Sequence, residues 1–203
     1  MESNFDENLF AGEEPITIFR RWLEEAKKTE VNDPDAIALA TVDEQGLPNV
    51  RMVLLRIIED DAFVFFTNYG SKKAKEAFLT NKVAFNIHWK SLRRQIRVRG
   101  HVEKEDGLIA DQYFSSREIG SQAAAWASKQ SETLTDRQEL IERWQSYQNE
   151  YKGKFVRPGF WGGIRIKPIQ IEFWADGQYR LHDRFLWERA LGGKGWSTRR
   201  LYP

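Results

Sequence analysis

The sequence predicts a mainly β, α+β fold: an antiparallel β-barrel, closed or split, with peripheral helices. Three observations carry this prediction. Short apolar runs separated by turn signals recur along the chain and amount to about seven strands. Aromatic residues make up 13% of the 203 residues, with eight Trp and thirteen Phe. They sit mostly in those runs, where their large area suits a β core or an interface. From Gly107 the apolar period switches from two to that of a helix, which marks a helical insert.

The elements follow in order. Residues 1–14 are expected to form a mobile, acidic arm ahead of a single domain over 15–203. Pro15 suits a first helical turn, and Ile18, Phe19, Trp22, Leu23 and Ala26 then recur at helical spacing until Asp33-Pro34-Asp35 breaks the helix. The runs 37–42, 50–58 and 62–67, separated by Asp43-Glu44-Gln45-Gly46 and Glu59-Asp60-Asp61, read as a β-meander. Ser71 is placed to cap a short helix over 72–79. Strands are expected at 83–89 and 95–102, the second with Gln95, Arg97 and Arg99 on one face and Ile96, Val98 and Gly100 on the other. Segments 111–116 and 121–128 look helical. Thr135-Asp136-Arg137-Gln138 resembles a capping box that opens a helix with Leu140, Ile141, Trp144 and Tyr147 on one face. Strands return at 162–166 and 169–175, Asp176-Gly177 signals a hairpin into 179–187, and 196–201 makes the last strand.

Composition narrows the function. Lys+Arg 31 against Asp+Glu 30 leaves a net charge of +1, without the basic excess of a dedicated nucleic-acid binder. The absence of cysteine excludes disulfides, thiolate metal sites and catalytic thiols. His88, His101 and His182 are widely spaced, so no metal site is expected. No run of 18 apolar residues occurs, and residues 1–12 lack a basic region followed by an apolar stretch. The expectation is a cytoplasmic protein that binds something small.

No GxGxxG, GxxxxGK[ST], GxSxG or HExxH motif is present. What stands out is cations at strand ends. Arg51 and Arg56 flank Met52-Val53-Leu54-Leu55, and Asn68-Tyr69-Gly70-Ser71-Lys72-Lys73 runs from a turn into a helix start. Lysines there oppose the helix dipole unless an anion sits nearby, and free amides with cations suit a phosphate. A solvated basic helix is the plainer reading. Arg180, His182 and Arg184 would share one face of the strand after the Asp-Gly turn, either solvated or facing an anion. Arg93-Arg94-Gln95-Ile96-Arg97-Val98-Arg99 beside Trp89 could serve a single-stranded nucleic acid, a reading its acidic surroundings weaken. The residues by themselves reach a β-barrel that binds a phosphorylated ligand.

The strings Arg51-Met52-Val53-Leu54-Leu55, Phe66-Thr67-Asn68-Tyr69-Gly70-Ser71-Lys72-Lys73, Trp126-Ala127-Ser128-Lys129-Gln130-Ser131, Phe160-Trp161-Gly162-Gly163, Ile171-Glu172-Phe173-Trp174 and Arg180-Leu181-His182-Asp183-Arg184-Phe185 occur in this order, before a terminal Arg200-Leu201-Tyr202-Pro203. Together, over roughly residues 15 to 203, they resemble the pyridoxine/pyridoxamine 5′-phosphate oxidase family. The resemblance implies an FMN-binding split barrel working as a homodimer, with flavin sites at the subunit interface. It implies that Arg51, Met52, Val53, Leu54, Leu55, Arg56, Phe66, Thr67, Lys72 and Lys73 hold the FMN phosphate and ring edge. Gln95, Gln130, Ser131, Trp174 and Arg184 would complete the flavin site. Tyr113, Arg117 and Ser121, joined by Arg56, would bind the substrate phosphate. Arg180, Leu181 and His182 would cover the substrate ring, with Arg180 and His182 as the catalytic pair. The implied reaction is oxidation of pyridoxine or pyridoxamine 5′-phosphate by O2 to pyridoxal 5′-phosphate, with release of H2O2.

Three positions depart from the family pattern. Arg56 stands where the family usually has Lys, exchanging a point charge for a fork. Glu118-Ile119-Gly120-Ser121 replaces a segment that usually carries Pro-Arg, so a cation is lost and an anion gained near the substrate phosphate. The arm at 1–12 lacks the family's basic, tyrosine-containing stretch. Two other readings stay open: a phenazine-biosynthesis-type flavin oxidase on the same fold, which lacks the vitamin-phosphate residues, and a flavin or pyridoxal-phosphate carrier without turnover.

Overall fold

The computed structural model describes residues 7–10, 14–193 and 195–203. The strands are β1 (Ala36–Val42), β2 (Pro48–Ile58), β3 (Phe63–Asn68), β4 (Val83–Trp89), β5 (Arg94–Glu105), β6 (Trp161–Ala175), β7 (Asp183–Glu188) and β8 (Ser197–Arg200). The helices are α1 (Pro15–Thr29), α2 (Lys72–Thr80), α3 (Leu108–Ser116), α4 (Ile119–Ala127) and α5 (Arg137–Tyr151). All ladders are antiparallel, in the order β3-β2-β1-β4-β5-β6-β7-β8. A further β3–β6 ladder, Phe63↔Ile166 to Asn68↔Trp161, closes the first six strands into a barrel. Closure leaves those strands without a free edge.

The core follows from alternation. On β5, Ile96 and Val98 face inward while Arg97 and Arg99 face out, as the sequence predicts. The apolar stripe of α1 packs against the barrel: Phe19 meets Phe63 at 4.8 Å between ring centres, and Trp22 meets Phe173 edge-on at 5.2 Å. The Trp22 indole N–H donates to the Leu9 carbonyl at 2.9 Å, so its burial leaves no orphaned donor. Of the N-terminal arm, Glu7–Phe10 forms a 3-10 turn, and Phe10 is buried against Phe185 and Trp22. Residues 1–6 and 11–13 lie outside the described residues. A second, smaller cluster around Phe114, Ala123, Phe155 and Trp161 joins the helical insert to the barrel.

Several local expectations are corrected. The two strands expected at 162–166 and 169–175 are one, β6. Pro168 lacks an amide hydrogen, and it lies opposite Gly100 at a register shift in the β5–β6 ladder, the irregularity at which a strand tolerates proline. A side chain at Gly100 would bring its Cβ within 2.4 Å of the Lys167 carbonyl oxygen, so only glycine permits this approach. The first half of β6 closes the barrel on β3, and its second half carries β7. At α5 the cap is Asp136 rather than Thr135; its carboxylate accepts the Gln138 amide at 2.9 Å. Ser71 occupies the N-cap position of α2, but its hydroxyl makes no cap bond. Instead the Lys72 amide donates to Ser131 Oγ at 3.1 Å, from the loop after α4.

Candidate functional site

One cleft of about 620 Å³ opens between the barrel wall and the helical insert. Strand β2 contributes Met52, Val53, Leu54 and Arg56, β3 contributes Phe66, Thr67 and Asn68, and α2 contributes Lys73. Tyr113 comes from α3, Arg117 and Glu118 from the turn into α4 and Ser121 from α4 itself, with Ser128, Gln130 and Trp161 beyond. The Phe66, Tyr113 and Trp161 rings are nearly parallel, with Phe66 4.0 Å from Tyr113 and 5.6 Å from Trp161. They form an aromatic stack beside the cations. Leu55, expected among the binding residues, departs from this set: alternation along β2 turns it into the core, where it is 4% exposed.

Two cations of the cleft, Lys73 and Arg117, are held by uncharged groups. Lys73 Nζ donates to Gln130 Oε1 at 2.8 Å and to Thr67 Oγ1 at 3.3 Å, and Thr67 Oγ1 in turn donates to Gln130 at 3.0 Å. No carboxylate pairs with Lys73 among the described residues. Burial, with Arg51 nearby, holds its ammonium below the usual lysine range. Arg117 lies over the Trp161 ring at 4.9 Å, and its Nη1 is buried without a hydrogen-bond partner. Burial, and secondarily the charge of Arg56, lowers its pKa, although a guanidinium stays charged at any physiological pH. Arg56 pairs with Asp35 at 2.8 Å. A buried guanidinium donor with no acceptor is costly unless a ligand supplies one. The cleft therefore fits an anion, and the chemistry of its donors is that of a phosphate site.

Arg51 and Lys72 are placed differently. Arg51 Nη1 donates to Thr41 Oγ1 at 2.5 Å and to the Leu39 carbonyl at 3.2 Å, while Nη2 lies 3.4 Å from Glu76. Lys72 Nζ is 3.8 Å from the other Glu76 oxygen. Glu76 is 4% exposed and also accepts from Thr41 at 2.6 Å and Asn49 at 2.7 Å. Burial pushes its carboxyl up, but the Thr41 and Asn49 hydrogen bonds with Arg51 and Lys72 outweigh it, so the pKa falls below the ordinary value. Glu76, Thr41, Asn49 and Asp35 were not singled out by sequence. The i,i+4 spacing of Lys72 and Glu76 was the available signal.

The remaining expected residues gather elsewhere. Gln95, Trp174 and Arg184 are cross-strand neighbours on β5, β6 and β7. Arg184 Nε donates to Glu172 at 2.9 Å, and its Nη1 to the Tyr202 carbonyl at 2.8 Å. Arg180, Leu181 and His182 belong to the turn between β6 and β7, which corrects the expected strand face. Gln178–Arg180 is a 3-10 turn with Tyr179 at φ 55° and Arg180 at φ 66°, and β7 begins only at Asp183. Gly177 allows this path, because a Cβ there would meet the Leu181 carbonyl oxygen at 2.1 Å. Arg180 and His182 line a cavity of about 440 Å³ that shares no lining residue with the cleft. Trp161, at the cleft, and Ala175, beside the turn, are the two ends of the 15-residue strand β6. At about 3.3 Å per residue that is roughly 45 Å along the strand.

Residues 23–147 match the family model described as pyridoxamine 5′-phosphate oxidase, and residues 161–203 match the pyridoxine 5′-phosphate oxidase C-terminal dimerisation region. The pyridoxine/pyridoxamine 5′-phosphate oxidase of Ruegeria sp. (strain TM1040) is 56% identical over 197 residues, 97% of this chain and 98% of that protein. The protein of the same name from Brucella canis is 50% identical over 99% of this chain and 100% of its own. Among solved structures, PhzG from Burkholderia lata 383 in complex with tetrahydrophenazine-1-carboxylic acid superposes with a TM-score of 0.91 at 30% identity, covering 100% of this chain and 99% of that one.

Proposed function

The chain belongs to the pyridoxamine 5′-phosphate oxidase family of enzymes, and from that premise we propose that it oxidises pyridoxine 5′-phosphate and pyridoxamine 5′-phosphate to pyridoxal 5′-phosphate with FMN as cofactor. The observation that carries this reading is the cleft itself. Lys73 without a carboxylate, Arg117 with a buried unpartnered Nη1, and Tyr113 and Ser121 lie together in it. A substrate with no phosphate leaves that guanidinium uncompensated, which favours this reading over the phenazine-type oxidase. Lys73, Thr67, Gln130 and the outward residues of β2 would hold FMN, with Arg51, Lys72 and Ser131 at its phosphate. Bound FMN would supply the two-electron redox chemistry, with O2 as final acceptor and H2O2 as its product.

The protein's own groups bind and orient. Arg117, Tyr113, Ser121 and Arg56 grip the substrate phosphate and fix its ring by one end. Arg180 orients the ring and favours the charge that develops as the C4′ bond breaks. His182 positions and polarises the substituent at C4′. Pyridoxine phosphate gives the aldehyde directly; pyridoxamine phosphate gives an imine that water hydrolyses to the aldehyde and ammonia. The separation of cleft and turn along β6, together with the match of 161–203 to a dimerisation region, supports a homodimer. In it, the turn of one protomer completes the cleft of the other. The test is aerobic aldehyde formation from pyridoxine phosphate by FMN-reconstituted protein. Steady turnover with equimolar peroxide is expected. A yellow protein that makes no aldehyde would contradict the reading in favour of the phenazine-type oxidase or a carrier.

A further inference from the structure

The turn that carries Arg180 and His182 is built around Asp176. One Asp176 oxygen lies 3.2 Å from His182 Nδ1, and the Gly177 amide also donates to that nitrogen at 3.2 Å. The two bonds serve different protonation states. An unprotonated Nδ1 accepts from Gly177, and a protonated Nδ1 donates to Asp176. In either state Nδ1 is turned into the loop, and Nε2 is left without a protein partner among the described residues. The Trp174 ring, 4.6 Å away and tilted by 44°, limits rotation of the imidazole from the side. Asp176 is itself fixed from the β4–β5 connection. Its amide donates to the Arg93 carbonyl at 3.1 Å, and its second oxygen pairs with the Arg93 guanidinium. Arg93 has φ 51°, a conformation that turns its carbonyl and side chain towards the same neighbour.

We infer that Asp176 is a positioning residue for His182, holding the imidazole by Nδ1 so that Nε2 faces the substrate; the inference rests on the role of His182 given above. Asp176 does not touch the substrate, so its effect runs through the histidine. The test is a double-mutant cycle on the FMN-loaded dimer with Asp176→Ala, His182→Ala and the pair, reading kcat, KM and flavin content. Asp176→Ala is expected to lower kcat about tenfold with flavin content and KM preserved. In the His182→Ala background it adds no further loss. Asp176→Asn, whose amide oxygen can still accept from a protonated Nδ1, recovers part of the rate. If the alanine variant does not retain flavin, the asparagine variant carries the same cycle. A purely structural role predicts losses that multiply in the double variant, and that result would overturn the inference. So would wild-type kcat in Asp176→Ala beside a deficient His182→Ala. A fully active His182→Ala would instead remove the role of His182, and the inference with it.

Discussion

The cleft and the turn hold their key side chains differently. In the cleft, neither Lys73 nor Arg117 makes an ion pair among the described residues: one is held by Thr67 and Gln130, the other is stacked on Trp161 with a bare Nη1. Beside the turn, His182 and Arg93 both meet Asp176 and Arg200 pairs with Asp183, while Arg180 makes no ion pair among the described residues. Unpaired buried cations remain available to a ligand, whereas paired groups are immobilised and serve orientation. The backbones differ in the same sense. The cleft is built mostly on regular strands and helices, with Ser128 and Gln130 on the loop after α4, while the turn requires Gly177 and two non-glycine residues in left-handed conformation. Such conformations persist only where the surroundings over-determine them. The comparison teaches that the proposed binding half rests mostly on the scaffold and the proposed reacting half on a locally constrained loop.

If that division holds, the two halves respond differently to substitution. Arg180→Ala should leave FMN bound and lower kcat by about a hundredfold, since its contribution is made as charge develops. Turnover measured on the flavin-loaded variant checks this, and an unchanged rate would put Arg180 outside the reaction. Arg117→Ala should act through KM, raising it for the phosphorylated substrate about tenfold with flavin content preserved. Steady-state kinetics separates the two cases, and an effect confined to kcat would break the proposed division. Lys72→Ala with Lys73→Ala should weaken FMN retention about tenfold, read by equilibrium titration of the apoprotein. A double variant that stays fully flavinated would remove both lysines from the cofactor phosphate.

The smallest expected effect is one of pH. Burial holds Lys73 below the usual lysine range, so its charge is lost earlier as pH rises. FMN affinity should therefore begin to fall at a lower alkaline pH than an ordinary lysine would give, by a few-fold. Lys73→Arg, which stays charged, should flatten that fall. An identical alkaline profile in both proteins would remove Lys73 from the phosphate contact.

The barrel was legible because its determinants are periodic. Alternation on β5 and the stripe of Ile18, Phe19, Trp22 and Ala26 on α1 survive unchanged into the core. The junction at Pro168 was not, since a proline ordinarily ends a strand and only the glycine across the ladder accommodates it. The turn misled for a related reason. Asp-Gly is a strong two-residue hairpin signal, yet here the missing Cβ of Gly177 admits the Leu181 carbonyl and lengthens the loop. For the site, sequence gave the cations but not their partners. That Arg51 and Lys72 meet Glu76 while Lys73 meets no acid among the described residues depends on how α2 packs against β1 and β2, a tertiary fact without a local pattern.

The central claim is that the cleft of one protomer works with the turn of its partner. Hybrid dimers carrying one Arg117→Ala chain and one Arg180→Ala chain, isolated by two affinity tags and loaded with FMN, test it most directly. Each chain then keeps one intact half, and a shared site pairs the intact cleft of one with the intact turn of the other. The account predicts about half the wild-type turnover per hybrid dimer, far above either homodimer, because one of two symmetric sites is restored. Hybrid dimers no more active than the mean of the two parents would contradict it, and would place cleft and turn in the same chain.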